Sequence, residues 1–368
     1  METGNLVHAI RTLSATAVCA IALVSCVSEG TGNAEGIPAE APAPEVPLPA
    51  PARLQLREAS DLTPGYGPVT AQAWRRDGAT LLTADYDLIQ RWEARSARNL
   101  GAVAESGGLI ADFSLFEPAS GKARLAVVSR DGSVTVRDPD DGSRLASAPL
   151  DADRAAWSPD GSGLAVCLSD GRILVLSWPG LRTAAELPAG PEQAPLRAAW
   201  LPSGQELVLG GALGIPSRWK PGEPASRPLG SLSTTVTVKT AGAGGGQPAI
   251  LDLEVSPDGS RAAAALADGS VTVLDLTSGA ILLRFPAHRG AALCMAWSPD
   301  GSRLATGGQD KQVRVWEAAD GAPHAMQHHN SLPVRSVAWM PGGRFLSSGA
   351  GSMDLKAHTG ATILWEVP

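Results

Sequence analysis

One four-residue turn, repeated at a nearly constant interval, limits what this chain can become more than any other feature. Ser158-Pro159-Asp160-Gly161, Ser256-Pro257-Asp258-Gly259 and Ser298-Pro299-Asp300-Gly301 are the same segment three times over. Its chemistry is that of a tight reversal. Pro presets φ at the second position, Asp bonds to nearby backbone, and Gly accepts a conformation that other residues resist. Leu201-Pro202-Ser203-Gly204 and Met340-Pro341-Gly342-Gly343 are weaker copies, and two degenerate ones end at Gly78 and Gly121. The seven glycines, at 78, 121, 161, 204, 259, 301 and 343, lie 43, 40, 43, 55, 42 and 42 residues apart.

An interval of about 40–45 residues is that of a four-stranded propeller blade. The runs beside the turns alternate as strands do, for example Gln312-Val313-Arg314-Val315-Trp316. The aromatic residues give an independent check, because 10 are Trp against 4 Phe and 2 Tyr. Trp74, Trp157, Trp200, Trp297 and Trp339 each precede a turn, while Trp92, Trp178, Trp219, Trp316 and Trp365 each end a third strand. Phe116 and Val255 take the first position in the two remaining units, and Arg137 and Leu274 the second. One large flat ring per sheet is what wedge-shaped blades need to pack face to face.

In this pattern the chain resembles the WD-repeat family across essentially all of residues 53–368. The resemblance implies an all-β fold: a seven-bladed propeller with four antiparallel strands per blade. It also implies that an N-terminal strand closes the last blade, which removes a reactive sheet edge. The seventh unit ends at Trp365-Glu366-Val367-Pro368 without an outer strand, and Arg53-Leu54-Gln55-Leu56-Arg57 is the run expected to supply one. The family stiffens its blades with a buried tetrad of His, Ser or Thr, Asp and Trp. The implied sets are His288, Thr306, Asp310 and Trp316 in the sixth unit, and His329, Ser348, Asp354 and Trp365 in the seventh. The first unit offers Thr83, Asp87 and Trp92 but no His.

The N-terminus reads as an address and a tether. Leu13 to Val24 is an apolar stretch too short to cross a bilayer as a helix, and it follows a polar segment carrying Arg11. It ends in Leu23-Val24-Ser25-Cys26, which resembles the lipobox of bacterial lipoproteins. That resemblance implies that residues 1–25 are a signal peptide and that Cys26 is the lipidation site. An ordinary cleaved signal and a buried N-terminal helix are the alternatives. Residues 26–52 read as an Ala/Pro-rich linker, with Pro at 38, 42, 44, 47, 49 and 51. Residues 53–368 then form the folded domain. In some Gram-negative lipoproteins an Asp after the Cys marks inner-membrane retention; Val27 stands there instead, so the lipoprotein resemblance implies the outer membrane facing the periplasm.

Signatures of chemistry are sparse. The sequence holds no Gly-x-Ser-x-Gly elbow, phosphate-binding Gly loop, Cys-x-x-Cys or His-Glu-x-x-His. A net charge of −7 without a basic track argues against nucleic acid as a partner. Cys167 and Cys294, on different repeats, read as buried unpaired thiols, and Asp138-Pro139-Asp140-Asp141-Gly142 as a solvated turn. His324, Met326 and His328 would share one face of a strand and are the weak metal candidates. No cofactor is expected. Residues 230–248 and 350–362 lengthen two connections, which the WD-repeat resemblance implies emerge on the same rim, where loops are free to contact a partner. The expectation is a lipid-tethered, exported, non-catalytic and monomeric propeller that presents its rim to protein. The alternatives are a propeller enzyme, or a small-molecule or metal binder, using the central channel, and a soluble intracellular scaffold. The channel reading requires polar groups that converge there.

Overall fold

The computed structural model describes residues 54–55, 57–62, 67–189, 197–212, 214, 216–229, 248–328, 332–352 and 360–368. Its regular elements are all strands, in seven sheets. Blade one runs through Val69–Trp74, Thr80–Asp85, Leu88–Glu93 and Arg98–Glu105. The first strands of blades two to seven are Ile110–Phe116, Ala152–Trp157, Arg197–Trp200, Ile250–Val255, Ala292–Trp297 and Val334–Trp339. Each first strand packs against that of the next blade, and the seventh packs against the first. The sheets therefore form a closed ring with the first strands innermost.

Local chemistry explains the shape of each blade. All seven turn glycines have positive φ, between 62° and 73° in six of them and 106° at Gly121. In the turn at Ser158 the hydroxyl donates to Asp160 Oδ1 at 2.6 Å and accepts from the Gly163 N–H at 2.9 Å. The same Ser-to-Asp bond, also 2.6 Å, recurs at Ser256 and Ser298. Second strands face neighbouring blades on both sides and are buried along nearly their whole length, while third strands such as Ser133–Arg137 keep an alternation. Gly163–Leu168 is buried throughout. Outer strands such as Arg98–Glu105 are mostly exposed.

The seventh blade is closed by an N-terminal strand, but a few residues later than the run at 53–57. Strand β1 (Leu54–Gln55) pairs parallel with the outer strand of blade six, Pro323–His328. Strand β2 (Arg57–Asp61) then pairs antiparallel with Gly360–Glu366 of blade seven, setting Glu58 opposite Trp365. The segment thus covers two sheet edges in succession. Alternation alone could not reveal that division.

Ladder register also corrects two aromatic positions. Trp74, Trp157, Trp200, Val255, Trp297 and Trp339 pair with Leu81, Leu164, Leu207, Ala262, Leu304 and Leu346. In blade two the residue paired this way is Leu115, with Leu125, so Phe116 lies one place further on. In blade three Leu164 pairs onward with Leu176, so Trp178 falls two places beyond the position that Trp92, Trp219, Trp316 and Trp365 hold in their blades. Both displaced rings belong to the same pair of blades.

Candidate functional site

In blade six His288, Thr306, Asp310 and Trp316 form one chain of hydrogen bonds. Trp316 Nε1–H donates to Thr306 Oγ1 at 2.9 Å. That oxygen lies 2.8 Å from His288 Nε2, and His288 Nδ1 lies 2.8 Å from Asp310 Oδ1. Having accepted from the indole, the hydroxyl donates its single proton to Nε2. The ring proton then sits on Nδ1 and points at the carboxylate, a neutral imidazole. Burial pushes the His288 pKa below its ordinary value, outweighing the pull of Asp310. Burial acts the other way on Asp310, yet bonds from His288 and the Arg289 N–H hold its carboxyl below the usual range. Gly308 makes the approach possible, since a Cβ there would meet the His288 ring at 2.3 Å.

Of the other tetrads, parts lie among the described residues. Trp365 Nε1 donates to Ser348 Oγ at 2.5 Å in blade seven, while His329 and Asp354 lie outside the described residues. In blade one Trp92 Nε1 donates to Thr83 Oγ1 at 2.9 Å. The buried acid there is Asp85 rather than Asp87. Burial pushes Asp85 up to about 6 against the opposing bond from Gln90 Nε2. Asp87 instead gives its backbone carbonyl to the Ser106 N–H.

A second arrangement lies on the inner strands. Three residues before each turn-side ladder position stand Ala71, Asp112, Arg154, Arg197, Asp252, Cys294 and Ser336. An innermost strand has no ladder partner on its channel side, so its backbone groups there must bond to something else. Side chains from adjacent blades meet that need. Asp112 accepts from the Ala155 N–H at 3.2 Å and Asp252 from the Met295 N–H at 2.9 Å. Arg154 donates back to the Ala111 carbonyl at 2.9 Å, and Arg197 forward to that of Leu251 at 2.6 Å. Ser336 donates to the Val69 carbonyl at 3.2 Å, across the point where the ring closes. Two residues on from Asp252, Glu254 accepts from the Trp297 N–H at 3.0 Å.

These charges act on one another. Burial raises the Asp112 carboxyl despite Arg154 and Arg197. Burial, with the like charge of Arg154, brings Arg197 down to about 10. Burial and then Asp252 push Glu254 up to about 8. Each of these side chains is half-buried on the inner wall, where the surrounding protein displaces much of its water. Polar groups therefore converge on the inner wall, although their bonds run largely to neighbouring backbone. Sequence reasoning missed this belt because its members stand about one repeat apart in the chain. Reading the third residue before each turn-side position would have found it.

Residues 279–317 and 323–358 match the family model described as WD domain, G-beta repeat. Two repeats of the chain match that family, and the fold is a seven-bladed propeller. The matched span holds the complete tetrad of blade six and the Ser348–Trp365 bond falls partly within it. No curated protein matches the chain. WD-repeat propellers are typically non-catalytic scaffolds that bind protein partners.

Within this ring the metal candidates have other bonds. His324 pairs through Nδ1 with Glu317 at 2.8 Å, and its Nε2 lies 3.1 Å from the Pro368 oxygen. His328 Nε2 meets the Gln312 side-chain amide at 3.1 Å, and Met326 stands opposite Gln55 across the added strand. Among the described residues no group of three His, Cys, Asp or Glu could hold a metal ion. Cys167 and Cys294 are free and buried, and burial pushes Cys167 up to about 12. Both are chemically quiet thiols. Cys26 lies outside the described residues.

Proposed function

We propose that the chain is a non-catalytic scaffold, exported and held at the cell envelope by lipid on Cys26, that presents one or both rims of its propeller to a protein partner. The observation that carries the scaffold reading is where the inner-wall bonding capacity goes. Asp112, Arg154, Arg197, Asp252, Glu254 and Ser336 all bond to backbone of a neighbouring blade. Groups so committed make a rigid disc, and a rigid disc holds its rim loops in a fixed relation. The tether rests on Leu23-Val24-Ser25-Cys26 and on the Pro-rich spacing of residues 27–52. Outer-membrane placement facing the periplasm follows from Val27, and a single propeller per particle from the closed ring.

Intact mass and membrane fractionation of wild type and Cys26→Ser, in the native host, test the tether. A mature chain starting at a lipidated Cys26, with the variant released from the membrane fraction, is the expected result. An unprocessed Met1 and a cytosolic protein would sink it. In-cell crosslinking of the wild type tests the scaffold, which requires a specific protein adduct.

A further inference from the structure

We propose that the cleft on the turn rim between blades one, two and three is a docking site for an extended partner segment that carries a carboxylate beside an apolar side chain. This deepens the scaffold reading and rests on it. The cleft has a volume of about 440 Å³, and its walls include Arg76, Phe116, Glu117, Trp157 and Asp160. That volume lies within the usual range for binding pockets.

The cleft arises where the chain departs from its own repeat. Nine residues separate the paired positions Leu115 and Leu125, where six separate Trp157 from Leu164. The extra length carries Phe116 out of register, to 6.2 Å from Trp157 and tilted against it. Trp178, also out of register, meets Trp157 edge-on at 5.7 Å. Arg124 stands over the Phe116 ring at 4.4 Å and over each indole at 5.0 Å.

Elsewhere an indole at this position latches two blades. Trp200, Trp297, Trp339 and Trp74 donate to the carbonyls of Ala156, Glu254, Ala296 and Ala338 in the preceding blade. Trp157 is only 7% exposed, yet its Nε1–H has no acceptor. A buried indole donor normally finds one, so this interface has the indole but lacks the bond that the other four indoles make.

Charge selects the occupant. Glu117 accepts from Arg75 Nε at 2.8 Å and from the Arg76 N–H at 2.5 Å. Asp160 accepts from the hydroxyls of Ser158 and Ser162. Both carboxylates are thus satisfied within the chain. Arg76 is exposed, and among the described residues its guanidinium takes no part in an ion pair or hydrogen bond. The unmatched charge at the mouth is positive and the walls beneath are aromatic. A carboxylate on Arg76 with an apolar side chain against Phe116 and Trp157 answers both features, whereas a basic segment would meet Arg76 with like charge.

The test titrates full-length protein by calorimetry with N-acetyl-Asp-Glu-Phe-Glu-amide and with its Asn-Gln-Phe-Gln counterpart. Saturable binding of the acidic peptide is expected, weaker for the amide peptide. Arg76→Glu should weaken the acidic peptide by about tenfold or more, since it replaces attraction with repulsion. Ala119→Trp, at an exposed loop position lining the cleft, should block it without touching the core. Equal binding of the two peptides, indifference to Arg76→Glu, or no saturable binding overturns the site. A protein adduct in cells that survives both substitutions removes the cleft and leaves the scaffold. Peptide binding without any cellular adduct does the reverse.

Discussion

The indole of Trp339 donates to the backbone carbonyl of Ala296 at 3.1 Å, joining residues 43 apart in sequence across the face between blades six and seven. Four such bonds recur around the ring, and at Trp157 the same donor is buried without an acceptor. The repeat therefore supplies its own control. Trp339→Phe removes this bond from a carbonyl that also faces the strand ladder at Ala305, and should cost about 0.5–1.5 kcal/mol beyond lost packing. Trp157→Phe removes a donor that bonds to nothing and should cost less. Paired melting curves decide, and an equal fall in Tm would count against the latch.

Thr306→Val should be the most damaging single change in blade six. It strands both Trp316 Nε1–H and His288 Nε2 in a buried site, a loss of about 2–4 kcal/mol for two orphaned polar groups. Because burial lowers the His288 pKa, the folded state binds fewer protons than the unfolded chain below pH about 6.5, the ordinary histidine value. Its contribution to stability is present above that pH and declines as pH falls toward the depressed folded value. A pH series of melting curves for wild type and His288→Gln would show a steeper acid loss in the wild type.

Glu254 has the opposite sign. Its pKa rises from 4.5 to about 8 on folding, so the folded state holds an extra proton between those values. Stability from this group is greatest below pH 4.5 and is lost as pH rises toward 8. Glu254→Gln keeps an acceptor for the Trp297 N–H and cannot ionise. It should raise Tm relative to wild type at pH 9 and match it near pH 5. A variant that is less stable at pH 9 would contradict the assignment.

Closure of the seventh blade should be separable from the strand added to blade six. A chain beginning at residue 57 loses, among the described pairings, the short parallel pair at Leu54–Gln55 and should melt close to the full chain. A chain beginning at residue 62 also loses Arg57–Asp61, which bares the edge of Gly360–Glu366. It should melt markedly earlier and self-associate, as open strand edges do. Light scattering beside thermal melting distinguishes the two.

The number of blades and the place of each turn were legible in the sequence, because a tight reversal needs particular residues at fixed offsets. All seven glycines read from that pattern do take positive φ. The identity of the inner wall was not legible. Asp112, Arg154, Arg197 and Asp252 are unremarkable in their own strands, and only the closing of the ring brings them together. Register decided the rest. A shift of one place set Phe116 beyond the ladder position, and a shift of two did the same for Trp178. Hydrogen-bond pairing between strands fixes such shifts, and the spacing of apolar residues tolerates them. Local propensity therefore wrote the repeat into the chain, while contacts between blades chose which repeats would differ.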